Sequence, residues 1–411
     1  MNRRSSTGRL NTGRRVDVAV IGGGVVGAAC ALSLSRQGLQ VTLIERSEPA
    51  AWTNDAHDLR VYAFAPDNAA LLSALGVWDG VAAARAQPYR RMRVWDAAGG
   101  DELRFDADDV AVKRLGWIVE NALLVDRLWA ALRASDVVLR CPASVVALEQ
   151  DGDTDPDGVA TLELDDGLRV EARIAIAADG GRSALRDLAG IATTAADYGQ
   201  QGVVAYIATE HPHEDTAWQR FLPTGPLAFL PCAPWPEAQH VSSIVWTLPD
   251  DEAGRVMALD DALFAEELTR AFASRLGACR PLTPRRAFPL RRQLAQTYLA
   301  GRVLAMGDAA HVVHPLAGQG VNLGLRDVAA LREAVASAQA RKADWAAPHR
   351  LARWARTRRS DATASAYAFG AINRVFSNDD LVTTLLRGHA LGLAGKLAPL
   401  NRALWRHAAG V

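Results

Sequence analysis

Gly22-Gly23-Gly24-Val25-Val26-Gly27 fits the spacing G-x-G-x-x-G. A turn of this kind can cradle a diphosphate. Gly22 would allow the tight turn, Gly24 would let the backbone approach the ligand, and Gly27 would let a helix pack closely on a strand. The pattern alone is weak. Here it has the context it needs, with the apolar run Val16–Ile21 before it and the helical composition of Ala28–Gln37 after it. The start of that helix offers unpaired N–H groups and a partial positive charge to phosphates. Glu45 closes a second apolar run, Val41–Ile44, and stands 23 residues after Gly22. A carboxylate there can accept hydrogen bonds from both ribose hydroxyls and repels a 2′-phosphate. The expected ligand is therefore the ADP half of FAD or NAD, not of NADP.

A second stretch, VLAMGDAAHVVHPLAGQGVNLGLRD, covers residues 303–327. A strand should deliver Gly307-Asp308, whose carboxylate can receive a hydrogen bond from a ribitol hydroxyl. Pro315 makes a fixed turn. Gly318-Gln319-Gly320 should open a helix whose N–H groups could face the pyrimidine edge of a flavin. That edge is negative once reduced, and a helix N-terminus stabilises it.

These residues need elements to hold them. Val16–Ile21, the following helix to Gly38, and Val41–Ile44 form a β-α-β unit of about 30 residues, the span a parallel crossover needs. Helices are expected over 67–85, over Asn121–Ala134, over 262–276 and from about Gly318 to Ala338. Strands are expected over 89–105, 143–150, 160–164, 168–177, 202–209, 241–248 and 302–306. Between about 196 and 285, Pro and Trp concentrate and the texture becomes that of an inserted, mostly antiparallel sheet. Residues 344–411 look mostly helical.

The chain has 411 residues, and 49% of them are hydrophobic, enough for a sizeable core. Its 46 basic and 46 acidic side chains balance, so charge gives no argument for nucleic acid. Cys30, Cys141, Cys232 and Cys279 are scattered without metal spacing and read as small apolar residues, which suits a reducing compartment. Residues 1–15 carry five arginines and no acid. They read as a disordered basic tail, with a transit peptide as the other reading. No run suits a membrane span, since Val16–Ser35 is broken by glycines. Residues 381–411 hold Arg387, Lys396, Arg402 and Arg406 with no acid. That composition suits either an anionic membrane surface or a terminal helix packed on the body.

The stretch from Gly307 to Asp327 resembles the GD motif of class A flavin monooxygenases, most closely that of the ubiquinone-biosynthesis hydroxylases. Ala178-Asp179-Gly180-Gly181-Arg182-Ser183 resembles the family's DG motif, and Asp58-Leu59-Arg60-Val61 its DLRV segment, whose arginine lies near the flavin. The resemblance covers about 16–380. It implies an α/β fold: a Rossmann-like FAD-binding domain (16–88, 118–195 and 286–343), an inserted, mostly antiparallel substrate sheet (89–117 and 196–285), and a helical C-terminus (344–411). The implied cofactor contacts are Gly22, Gly24, Val26, Gly27, Glu45, Arg46, Arg60, Asp179, Gly180, Gly307, Asp308, Pro315, Gly318, Gln319, Gly320 and Asn322. Tyr62, Val125, Phe229 and Pro315 are the expected substrate lining. Tyr62 and Val125 also depart from the family pattern, which has Ser-Ala-Ile after DLRV and commonly Gln five residues after the Glu of Glu120-Asn121.

The resemblance further implies an aromatic-ring hydroxylase with bound FAD, transient NAD(P)H and O2, working through a flavin C4a-hydroperoxide on a polyprenylated phenol. Hydroxylation of a soluble aromatic, or a flavin-binding component of a quinone-synthesis complex without turnover, are the alternatives. Other quinone-biosynthesis proteins are implied partners. The expected location is the cytoplasm, peripheral on the inner face of the membrane. His311 and His314, three residues apart, read as structural hydrogen-bonding residues, not as a metal pair. No catalytic residue and no metal site is assigned.

Overall fold

The computed structural model describes residues 15–99, 101–151, 158–313 and 320–376, the last few by backbone alone. The expected basic tail and most of the expected C-terminal region lie outside these residues.

Val16–Ile21 is a strand because four of its six residues, Val16, Val18, Val20 and Ile21, are β-branched, and all but Asp17 are buried. It pairs in parallel with Val41–Ile44 on one side and Arg169–Ala177 on the other. Val303–Ala305 and Val138–Arg140 extend the parallel sheet outward, and the antiparallel strands Ala160–Leu164 and Val145–Gln150 add to it. The helix Val25–Ser35 is buried along almost its whole length. That follows from its small side chains and from its place between the sheet and the helices Asn121–Arg133 and Gly320–Ala340.

The second sheet is mostly antiparallel, as expected. Thr193–Thr209 pairs with Val241–Pro249, which pairs with Gly225–Cys232, which pairs with Thr216–Leu222. Arg91–Asp96 then joins in parallel, and Leu103–Asp106 closes that edge. Asp250–Ala258 and Asp261–Ala271 cover the back of this sheet with an apolar core around Phe229, Phe264 and Phe272. A small third sheet, Val61–Phe64 with Gly116–Glu120 and Gln87–Tyr89, sits between the two larger ones in chain order.

Five details differ from the sequence reading. The strand expected over 89–105 is two strands, Arg91–Asp96 and Leu103–Asp106, paired antiparallel, while Tyr89 ends a strand of the third sheet. The expected helix over 67–85 is two helices, Pro66–Ala74 and Trp78–Arg85, because Gly76 takes φ +62° and Val77 N–H closes on Leu72 O at 2.9 Å. The helix expected over 262–276 ends at Ala271, before Ala273 and Ser274 take positive φ. Asp250–Ala258 is a helix that sequence reasoning did not pick out. The boundaries of the inserted sheet also move. Thr193–Thr209 starts before 196, and Arg286–Ala295 pairs with it on both sides of a register shift between Asp197 and Gln201. Residues 286–295 therefore belong to the second sheet, where their backbone hydrogen bonds are made. The return to the parallel sheet comes at Val303.

Candidate functional site: two abutting cavities

The glycine turn is built as its spacing requires. Gly22 takes φ +106°, and its N–H bonds to Ile44 O at 2.9 Å. A Cβ at Gly27 would lie 2.0 Å from Gly22 O, so helix and strand meet at backbone contact. A Cβ at Gly24 would meet nothing within 4 Å. The close packing at Gly27 is thus internal, whereas the open side of Gly24 faces a cavity that it helps to line. Glu45 is wired to the same turn, accepting from Gly23 N–H at 2.6 Å and from Ser47 N–H at 3.2 Å. A carboxylate has about four acceptor positions, so two remain for ribose hydroxyls. Trp129 donates its indole N–H to Gly23 O at 2.7 Å and seals the turn from behind. Sequence reasoning missed this residue, because a tryptophan within a helix gives no local sign of its distant partner.

The cavity holds about 460 Å³. Of the expected cofactor contacts, Gly22, Gly24, Val26, Glu45, Arg46, Arg60, Asp179, Gly180 and Asp308 line it. Asn121, Ser144, Arg182 and Met306 line it as well and were not foreseen. Arg46, Arg60 and Arg182 bring guanidinium donors that suit a diphosphate, while Glu45, Asp179 and Asp308 on the same wall balance their formal charge. Asp179 accepts from Ser183 Oγ and from Leu185 N–H at 3.3 Å, and Gly180 takes φ +87°. The DG motif is thus a turn capping a short helix at the cavity edge.

Gly307 takes φ +59°, and an added Cβ would press on Val26 at 3.2 Å. The turn presents Asp308 to the cavity, 3.6 Å from Arg60. His311 has the structural role expected of it, with Nε2 2.7 Å from the buried carboxylate of Asp327. Gly320 begins the helix Gly320–Ala340. His314, Pro315, Gly318 and Gln319 lie outside the described residues. Asn322 departs from expectation. Its side chain is buried and fully engaged: Oδ1 accepts from Ala65 N–H at 3.1 Å and Asn68 Nδ2 at 2.9 Å, while Nδ2 donates to Ala63 O at 2.8 Å. It ties the helix to the turn after Val61–Phe64 and lines neither cavity.

A second cavity of about 540 Å³ abuts the first. Arg60, Tyr62, Asp308 and Val321 line both. The rest of its wall is mainly apolar: Leu59, Val61, Val204, Leu230, Val245, Phe288, Leu290, Val312 and Val313, with Arg286 and Arg291 at exposed positions. Of the residues expected to line the substrate, Tyr62 lines both cavities. Val125 and Phe229 line neither. Val125 sits on the inward face of the helix Asn121–Arg133, within the core of the parallel sheet. Phe229 stacks on Phe272 at 3.7 Å on the far side of the inserted sheet. Side chains alternate along a strand, so the neighbour Leu230 faces the cavity in its place. Arg286, Phe288, Pro289 and Leu290 of this wall carry no alternating pattern, so nothing in the sequence marks it.

An FAD binding domain family matches residues 15–366. The chain is 37% identical over 405 residues to the 3-demethoxyubiquinol 3-hydroxylase of Escherichia coli, covering 97% of this chain and 100% of that protein. It is 38% identical over 395 residues to the ubiquinone hydroxylase UbiL of Rhodospirillum rubrum, covering 96% of this chain and 89% of that one. The chain belongs to the ubiquinone-biosynthesis hydroxylase family of FAD-dependent monooxygenases. Among solved structures, p-nitrophenol 4-monooxygenase PnpA from Pseudomonas putida shares the fold, with a TM-score of 0.74 at 19% identity over 97% of this chain and 99% of that one.

Membership makes the chain an FAD-dependent monooxygenase, with NAD(P)H and O2 as the usual co-substrates of the class. The first cavity fits FAD by its own chemistry: a side of Gly24 left open, a helix N-terminus, three guanidinium groups and an acceptor at Glu45. Among the described residues, no helix is long and apolar enough to cross a membrane.

Proposed function

We propose that this protein hydroxylates the ring of a polyprenylated phenol during ubiquinone biosynthesis. The observation that carries the reading is the pair of abutting cavities. One is polar and suited to FAD, the other is apolar and suited to a prenylated ring, and four residues form the wall they share. The activities of the relatives in Escherichia coli and Rhodospirillum rubrum support the same substrate class.

The first cavity would hold FAD, with the diphosphate over Gly24 and near Arg46 and Arg182, a ribose at Glu45, and the flavin end at Asp308 and Arg60. Bound there, FAD supplies reducing power and activates O2 beside the ring. The protein orients the two partners and excludes water. Arg60 and Asp308 fix the boundary between them. The apolar wall formed by Leu230, Val245 and Leu290 keeps bulk water from the ring.

The remaining contacts are proposed on the same basis. The C-terminal residues 381–411 meet an anionic membrane surface from the cytoplasmic side, where a prenylated substrate resides. Other quinone-biosynthesis proteins are the proposed partners. The test is chemical: a cell lacking this protein should accumulate a prenylated phenol one hydroxyl short, and the intact gene should clear it. Accumulation of a non-prenylated aromatic would point to a soluble substrate instead.

A further inference from the structure

Arg60 stands at the boundary of the two cavities, yet its side chain is held loosely. It is 62% exposed and lies 3.6 Å from Asp308, with its guanidinium 5.5 Å over the Tyr62 ring. Exposed ion pairs contribute little, so the backbone decides where this arginine stands. That backbone is clasped from two sides. On one side is the start of the helix Asn121–Arg133. Asn121 N–H donates to Arg60 O at 2.9 Å, and the Asp58 carboxylate accepts from Arg60 N–H and Ala122 N–H, both at 2.9 Å. On the other side is Tyr206, which donates its hydroxyl to Asp58 O at 3.0 Å.

Tyr206 belongs to the strand Thr193–Thr209 of the inserted sheet and is 2% exposed. Its side chain shares a face with Val204, two residues earlier. Its pairing partner Ser243 pairs in turn with Leu230. Val204 and Leu230 line the second cavity, whereas Tyr206 lines neither that cavity nor the first. Glu120 Oε1 is farther from the hydroxyl, at 3.4 Å, and that carboxylate is already engaged by Arg85 at 3.0 Å and Trp52 at 3.1 Å. Burial pushes the hydroxyl well above the ordinary tyrosine value, so it stays a donor.

We propose that Tyr206 is a positioning residue: its hydroxyl ties the sheet that walls the second cavity to the segment that carries Arg60, and so sets Arg60 against the flavin end. This rests on the placement of FAD proposed above. Lining neither cavity, Tyr206 acts through Asp58 and Arg60.

The experiment is a double-mutant cycle on the full-length holoenzyme, with Tyr206→Phe, Arg60→Ala and the two together. FAD release on dilution, read as the rise in free-flavin fluorescence, gives the dissociation constant. Tyr206→Phe keeps the ring and removes the bond. A neutral hydrogen bond is worth about 1 kcal/mol, so this variant should weaken FAD about two- to fivefold. In the Arg60→Ala background the same change should have no further effect, because residues that act through one another are not additive. A merely structural role would cost the same factor in both backgrounds. That result, or unchanged FAD affinity in Tyr206→Phe while Arg60→Ala weakens it, would overturn the inference. If Arg60→Ala holds FAD as tightly as the wild type, the placement of the flavin end falls and takes the inference with it, so the two failures are distinguishable.

Discussion

Asp327 and His311 are both fully buried, and His311 Nε2 lies 2.7 Å from Asp327 Oδ2. The same carboxylate accepts from Gly307 N–H at 3.0 Å and from Arg358 Nε at 2.7 Å. One side chain thus joins the turn that presents Asp308, the helix Gly320–Ala340 and the helix Pro348–Phe376. Gly307 takes its left-handed conformation beside a carboxylate held from the other side by Arg358, which also pairs with Asp361 at 2.7 Å.

Arg358→Met should therefore be severely destabilising. Removing one partner of a buried ion pair costs roughly 3–5 kcal/mol, because the other charge stays buried. The midpoint of urea unfolding measures it. An unchanged midpoint would show that water reaches Asp327 and compensates it.

The same carboxylate predicts a pH dependence. Burial is the largest influence on Asp327 and acts to raise its pKa. His311, Arg358 and the Gly307 N–H together outweigh burial and hold it below the ordinary carboxylate value. A depressed pKa contributes stability that is present above about pH 4, the unfolded value, and is lost as pH falls through the folded one. The stability gap between wild type and Asp327→Asn should be full at neutral pH and narrow below about pH 4. A gap independent of pH would contradict the assignment.

Gly24 and Gly27 should behave differently despite sharing one motif. Gly27→Ala places a carbon 2.0 Å from Gly22 O and should destabilise the apoprotein by roughly 1–3 kcal/mol or more. Gly24→Ala meets nothing within 4 Å of its own chain. It should leave the apoprotein's melting temperature unchanged and weaken FAD about tenfold or more, equivalent to about 1.4 kcal/mol. Equal loss of apoprotein stability in both would mean that Gly24 serves packing.

Much of this was legible in the sequence, and the remainder has physical causes. Gly22, Gly24, Gly27 and Asp308 could be read because each role depends on local backbone geometry, which a motif records. The resemblance put Arg60 near the flavin without naming a neighbour, and the structure sets it 3.6 Å from Asp308. Phe229 was misplaced because the face of a strand is set by pairing register, and one step along the chain reverses it. Asn322 was misread because a buried amide surrounded by backbone groups serves the fold. Val125 occupies a helix face whose partner lies elsewhere in the chain.

The register correction gives a further prediction. Phe229→Ala should cost roughly 3–5 kcal/mol through the cavity it leaves, yet leave affinity for ring ligands unchanged. Leu230→Phe should reduce that affinity, since it fills the second cavity. Flavin-fluorescence titration of both variants decides it. Loss of ring binding in Phe229→Ala alone would reverse the assignment of faces.

The central claim is that FAD in the first cavity serves a phenol in the second. Its most direct test is turnover of the purified, FAD-loaded protein under ¹⁸O2 with NAD(P)H and a short-tailed prenylphenol, followed by mass spectrometry of the product. The account predicts a product carrying one ¹⁸O on the ring, absent in Gly24→Ala that has lost its FAD. Bound FAD that stays oxidised with every phenol tried, or a product without ¹⁸O, would contradict it.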